Sequence, residues 1–167
     1  KKKGFGIWLN ILLFAATVIT TTMAGAAWLN RDPFDISNFT LGITYSILIL
    51  TFLTFHEFGH YFAAKIHKVK VTLPFYIPFP MVLNPFGTMG AVIRIKDQIK
   101  SRKALFDIGI AGPVAGFIAA SAMLIYGMTH LPPFEHIFSI HPEYTTTGVP
   151  TNGFSFGQNL LYVIFAK

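Results

Sequence analysis

The sequence predicts an all-α polytopic membrane protein: three complete transmembrane helices and the start of a fourth, with a small membrane-associated extended or β-hairpin segment between helices two and three. Three observations predict it. Of the 167 residues, 53% are hydrophobic and only 12% are charged, whereas soluble domains carry about 25% charged residues. The apolar residues gather in runs that, at about 1.5 Å per helical residue, can cross a hydrocarbon core of roughly 30 Å. The basic residues behind the net charge of +6 stand in short clusters beside those runs. There the anionic face of a membrane is a better partner than nucleic acid. Cysteine is absent, which excludes disulfides and thiolate metal sites and leaves His, Asp and Glu as ligands. The whole chain, 1–167, is expected to form one membrane-embedded core.

Lys1 to Lys3 precede the first apolar segment, Phe5 to Leu29. The competing reading is a signal peptide, because a basic start and the small residues Ala24, Gly25 and Ala26 resemble a cleavage region. The linker Asn30 to Asn38 holds Arg31, Asp32, Pro33 and Asp35, a turn-forming stretch on the side opposite the lysines. The second span, Phe39 to Ile66, is uncharged as far as Phe55 and closes on Lys65, Lys68 and Lys70.

From 71 to 96 the character changes. Pro74, Pro78 and Pro80 forbid a helix and a central strand. Gly87 and Gly90 allow a tight turn, and Ala91 to Lys96 has strand composition, so the segment reads as extended, ending in a hairpin or edge strand. An amphipathic surface loop is the alternative. The third span, Ala104 to Met128, carries Gly109, Gly112 and Gly116, small residues that permit close helix packing, together with Pro113. His130 to Gly153 is polar and turn-rich without Lys or Arg, and Phe154 to Lys167 begins a further apolar helix. The positive-inside rule then places the amino terminus and the basic loops in the cytoplasm. A bacterial inner membrane is expected, with an organellar membrane as the alternative.

The chemistry-bearing stretch is His56-Glu57-Phe58-Gly59-His60, near the basic end of the second span. Residues four apart lie one turn apart on one helix face, so the two imidazoles can converge on one zinc ion. Two neutral nitrogens leave room for one more protein ligand and a water, the open arrangement of a catalytic zinc. Glu57 sits beside them as a base for that water, which makes this a hydrolase pattern. Two histidines that merely hydrogen-bond are the plainer reading, made costly by the apolar setting.

Asp107, near the basic end of the third span, reads either as a metal ligand or as a partner that orients a histidine, or as a residue paired with Lys103 or capping its helix. His67 reads as a solvated interfacial residue, and His130, His136 and His141 as surface histidines. A metal transporter is the weakest alternative, because the polar residues form one cluster rather than a path through the spans.

The chain resembles the site-2 protease family of intramembrane zinc metalloproteases. The likeness rests on His56 to Lys65, on Pro85-Phe86-Gly87-Thr88-Met89-Gly90-Ala91-Val92-Ile93, and on Leu105 to Phe117, with Asp107-Ile108-Gly109 and Gly112-Pro113 inside it. It implies that His56 and His60 bind one zinc per chain and that Glu57 activates the water. It also implies that Gly87, Thr88, Met89, Gly90, Ala91, Val92 and Ile93 hold substrate, a single-span, membrane-anchored regulatory protein. The family's third ligand, an aspartate in a later Asp-Gly motif, has no match after His60, so the sequence reads as a fragment ending ahead of it. A zinc-binding membrane protein without activity is the alternative. The sequence sets no oligomeric state.

Overall fold

The computed structural model describes residues 5–151. The expected fourth helix, from Phe154, lies outside them. Helix α1 spans Phe5–Trp28, α2 Phe39–Ile66 and α3 Arg102–Thr129. All three are long and apolar enough to cross a membrane. Strands β1 (Phe75–Pro78) and β2 (Thr88–Val92) lie between α2 and α3, and two short helices follow, α4 (His136–Ile140) and α5 (Tyr144–Thr147). The chain divides into two compact units, Lys1–Ala120 and Ser121–Lys167.

In the first unit the usual arrangement of side chains is inverted. Trp8, Leu12, Ile47, Phe55 and Phe62 are exposed, while Thr17, Thr21, Thr22 and Ser46 are buried. Lipid is as apolar as leucine, so helices in it associate through small residues and hydroxyls instead. The Thr21 and Ser46 hydroxyls meet at 2.7 Å between α1 and α2. Thr17, Thr21 and Thr22 each donate to the carbonyl one turn earlier at 2.7 Å, so each of these three buried hydroxyls is satisfied. A side chain at Gly42 would strike the Thr22 carbonyl, which shows how closely the two backbones approach.

The segment after α2 is tied along α1. The Asn10 amide donates to the Pro74 carbonyl at 2.6 Å, and the Trp28 indole donates to the Pro85 carbonyl at 2.9 Å. Eighteen residues of helix between those anchors make roughly 27 Å, so the hairpin extends along nearly the whole helix. Phe14 meets Tyr76 edge-on at 4.9 Å, and the Tyr76 and Thr54 hydroxyls lie 2.6 Å apart. Tyr76 and Ala91 pack on Leu50 to form one small core; Ala64, Val69 and Ile108 form another.

Strand β2 starts earlier than the expected Ala91–Lys96. Phe75 pairs with Val92 and Tyr76 with Ala91, but Pro78 pairs with Thr88, so β2 carries one extra residue. That bulge falls at Gly90, whose φ of 99° is strained for residues with a side chain. Thr88 locks it: its hydroxyl donates to the Ile77 carbonyl at 2.9 Å and accepts the Gly90 N–H at 3.0 Å. Outside the two strands, Val71 and Ile95 form an isolated antiparallel bridge.

The second unit contains the end of α3, α4 and α5, where the sequence suggested only turns. His130 is exposed and stacks on Tyr126 at 4.2 Å, as a surface histidine can. His141 departs from that expectation. It is buried, bonded to Glu143 at 2.8 Å and stacked on Tyr144 at 4.5 Å.

Candidate metal centre

His56 and His60 lie in the last third of α2, one turn apart, with ring centroids 4.9 Å apart and rings nearly perpendicular. Their Nε2 atoms face each other at 3.2 Å. Two nitrogens bound at about 2.05 Å to a tetrahedral zinc stand about 3.3 Å apart, so the pair fits two corners of such a site.

The orientation of His60 is set from α3. Its Nδ1 lies 2.6 Å from the Ile108 carbonyl. A carbonyl only accepts, so Nδ1 carries the proton and the Nε2 lone pair is left for a metal, as in metal-bound histidines generally.

The ring fits because α3 presents glycine. A Cβ at Gly112 would overlap Nε2, Cδ2 and Cε1 of His60, and one at Gly116 would lie 3.1 Å from Nδ1 of His56. Gly59, between the two histidines, lies under the Ala111 carbonyl. Glycines four apart on α3 therefore seat histidines four apart on α2. The sequence pointed to close packing here but not to the seat. The matched spacing of Gly112 and Gly116 with His56 and His60 was the available signal.

Glu57 shares a cavity with His60. Its side chain is buried, with 7% of the residue exposed, and its carboxylate lies near the backbone of Ile93, just past β2. Glu57 and His60 open together on a cavity of about 330 Å³ walled by Val92, Ile93, Ile95, Ile99, Leu105 and Ile108. Two polar groups in an apolar cleft can orient one polar bond of a bound chain.

Of the residues expected to hold substrate, Val92 and Ile93 line this cavity. Met89 is exposed, whereas Thr88 and Ala91 are buried. Gly87 packs on α1 at Thr20 and Ala24 instead.

Asp107 is not brought to the histidine pair, nor to Lys103. It bonds Nε2 of His67 at 2.8 Å, tying the end of α2 to the start of α3. His67 is accordingly paired rather than simply solvated. Among the described residues no third His, Asp or Glu joins His56 and His60 in a metal-sized group.

The family model for peptidase family M50 matches residues 44–164. A probable zinc metalloprotease of *Oryza sativa* subsp. *japonica*, EGY1, chloroplastic, is 38% identical over 53% of this chain and 14% of its own length. The *Arabidopsis thaliana* protein of the same name is 36% identical over 48% of this chain and 14% of its own length. A probable zinc metalloprotease EGY2, chloroplastic, of *Arabidopsis thaliana* is 30% identical over 58% of this chain and 16% of its own length. The match thus spans about one seventh of these relatives. No solved structure matches.

Proposed function

The chain belongs to peptidase family M50, and from that premise we propose that it acts as an intramembrane zinc metalloprotease on a peptide bond in or near a transmembrane segment of a membrane-anchored regulatory protein. The observation that carries this reading is the 3.2 Å approach of the His56 and His60 Nε2 atoms beside a buried glutamate. Zinc held there would supply Lewis acidity, polarising a carbonyl and easing the deprotonation of water.

The protein's own groups do the rest. His56 and His60 would hold the metal, with the Ile108 carbonyl and Gly112 keeping His60 in place and Gly116 leaving room for His56. Glu57 takes the proton of the attacking water and returns it to the leaving amine. The apolar walls of the cavity lower the polarity around Glu57 and His60. Strand β2 and its continuation through Ile93 supply an extended backbone against which a substrate segment, unwound from its helix, can lie.

The hairpin, tied along α1 between Asn10 and Trp28, sits within the depth of the membrane. Its strands pack on α1 through Tyr76 and Phe14 and on α2 through Tyr76, Ala91 and Leu50, cover of the kind that non-helical chain at that depth requires. The basic ends of α2 and α3 face the cytoplasm or its organellar equivalent, and the relatives' chloroplastic names favour an organellar membrane over a bacterial one.

The lack of a third ligand among the described residues favours one second reading, a zinc-binding membrane protein without protease activity. Cleavage of a reconstituted single-span substrate separates the two. Zinc-dependent cleavage that Glu57→Gln abolishes supports the protease. A metal-loaded protein that never cleaves supports the second reading.

A further inference from the structure

Where α2 ends, the chain makes a turn that glycine usually makes. The Val69 N–H bonds back to the Ala64 carbonyl at 2.9 Å and the Lys68 N–H to the Lys65 carbonyl at 3.0 Å, closing the helix with a paired cap. The residue between must be left-handed, and it is Lys68, with φ of 57°. Glycine is unstrained there and lysine is not.

The lysine borders a basin of about 610 Å³ with His67, Val69, Lys96, Asp97, Gln98, Ile99, Lys100, Ser101 and Ala104 around it. Three lysines, Lys68, Lys96 and Lys100, thus border the basin with one acidic residue, Asp97. That carboxylate is engaged: Asp97 Oδ2 accepts the Lys70 N–H at 3.4 Å and lies 3.9 Å from Lys70 Nζ. His67 is held by Asp107. No ion pair with Lys68, Lys96 or Lys100 occurs among the described residues.

The basin's framework is regular. The Lys96 N–H bonds the Lys70 carbonyl at 2.8 Å, and the Thr72 N–H bonds the Arg94 carbonyl at 2.9 Å, clamping the linker to the end of α2. Its apolar side is continuous with the helix core, because Ile99 packs on Ala64, Val69 and Ile108. Cations around an apolar floor, at the ends of two membrane-length helices, match a ligand with an anionic head and an apolar tail.

We propose that this basin binds the phosphate headgroup of an anionic phospholipid, Lys68, Lys96 and Lys100 contacting the phosphate and the partly exposed Ile99 the glycerol and upper acyl chain. The basin adjoins the cavity of Glu57 and His60 at Ile99, which lines both, but contains neither histidine and does not depend on the metal reading. Strain at Lys68 is retained because its side chain is a contact.

The test is the unfolding temperature of the chain in neutral detergent, titrated with phosphatidylglycerol, phosphatidylcholine or inorganic phosphate. Phosphatidylglycerol is expected to raise it by about 4 °C or more, and the other two by much less. Lys96→Gln/Lys100→Gln should at least halve that shift. Arg94→Gln/Lys103→Gln, which removes the same charge outside the basin, should keep it. Lys68→Gly relieves the strained turn, so it should be more stable without lipid and respond less to phosphatidylglycerol. An equal response to phosphatidylcholine, or an equal response to inorganic phosphate, would overturn a lipid headgroup site. So would equal losses in the two double variants, since the attraction would then be diffuse charge.

Discussion

Gly112 of α3 lies so close to the imidazole of His60 on α2 that a β-carbon there would overlap three atoms of the ring, Nε2 among them. The side chain that α3 lacks is therefore what leaves room for the ring proposed to hold the metal. The same ring is anchored four residues earlier on α3 by the Ile108 carbonyl at 2.6 Å.

Substituting the seat should disturb the centre in graded order. Gly112→Ala must displace His60 or separate the helices, at about 1–3 kcal/mol of overpacking, and should reduce bound zinc by more than half. Gly116→Ala, whose β-carbon would meet His56 Nδ1 at 3.1 Å, should cost less. Gly109→Ala, with nothing within 4 Å, should keep its zinc. Metal analysis of the three purified variants checks the order.

Glu57→Gln should retain zinc and lose at least about 10²-fold in cleavage rate, because the amide keeps the shape and cannot take a proton. Metal analysis and a cleavage assay on the same preparation check both halves.

Asp107→Asn should leave zinc content unchanged, since the carboxylate serves His67. Both partners are partly exposed, with side chains 25% and 37% accessible, so their coupling should be at most about 1 kcal/mol. A double-mutant cycle of His67→Gln and Asp107→Asn in thermal unfolding measures it. Loss of zinc in Asp107→Asn would instead make that residue part of the metal site.

Gly87→Ala should destabilise the hairpin by about 2 kcal/mol or more, combining a left-handed backbone with a collision on α1. Its φ is 71° and its β-carbon would strike the Thr20 carbonyl. Gly90→Ala meets no neighbour within 4 Å and should cost only the backbone strain, about 1 kcal/mol. Thermal unfolding in detergent distinguishes them.

The three long helices were legible because a membrane helix is a local property of length and hydropathy. Glu57, His56 and His60 were legible because one turn of helix is enough to bring the two histidines together. The register of β2 was not. Gly90 reads as a turn residue, but its bulge appears only once Pro78 is opposite Thr88. The bond between His67 and Asp107 joins positions forty residues apart, with nothing local to announce it. The glycine seat needed the facing of α2 and α3, which spacing suggests only when both motifs are laid side by side.

The most direct measurement is zinc content per chain in detergent for the wild type, His56→Ala and His60→Ala. The account predicts close to one zinc in the wild type and near none in either variant, with the folded helical content unchanged. Zinc retained at the wild-type level in both variants would contradict it.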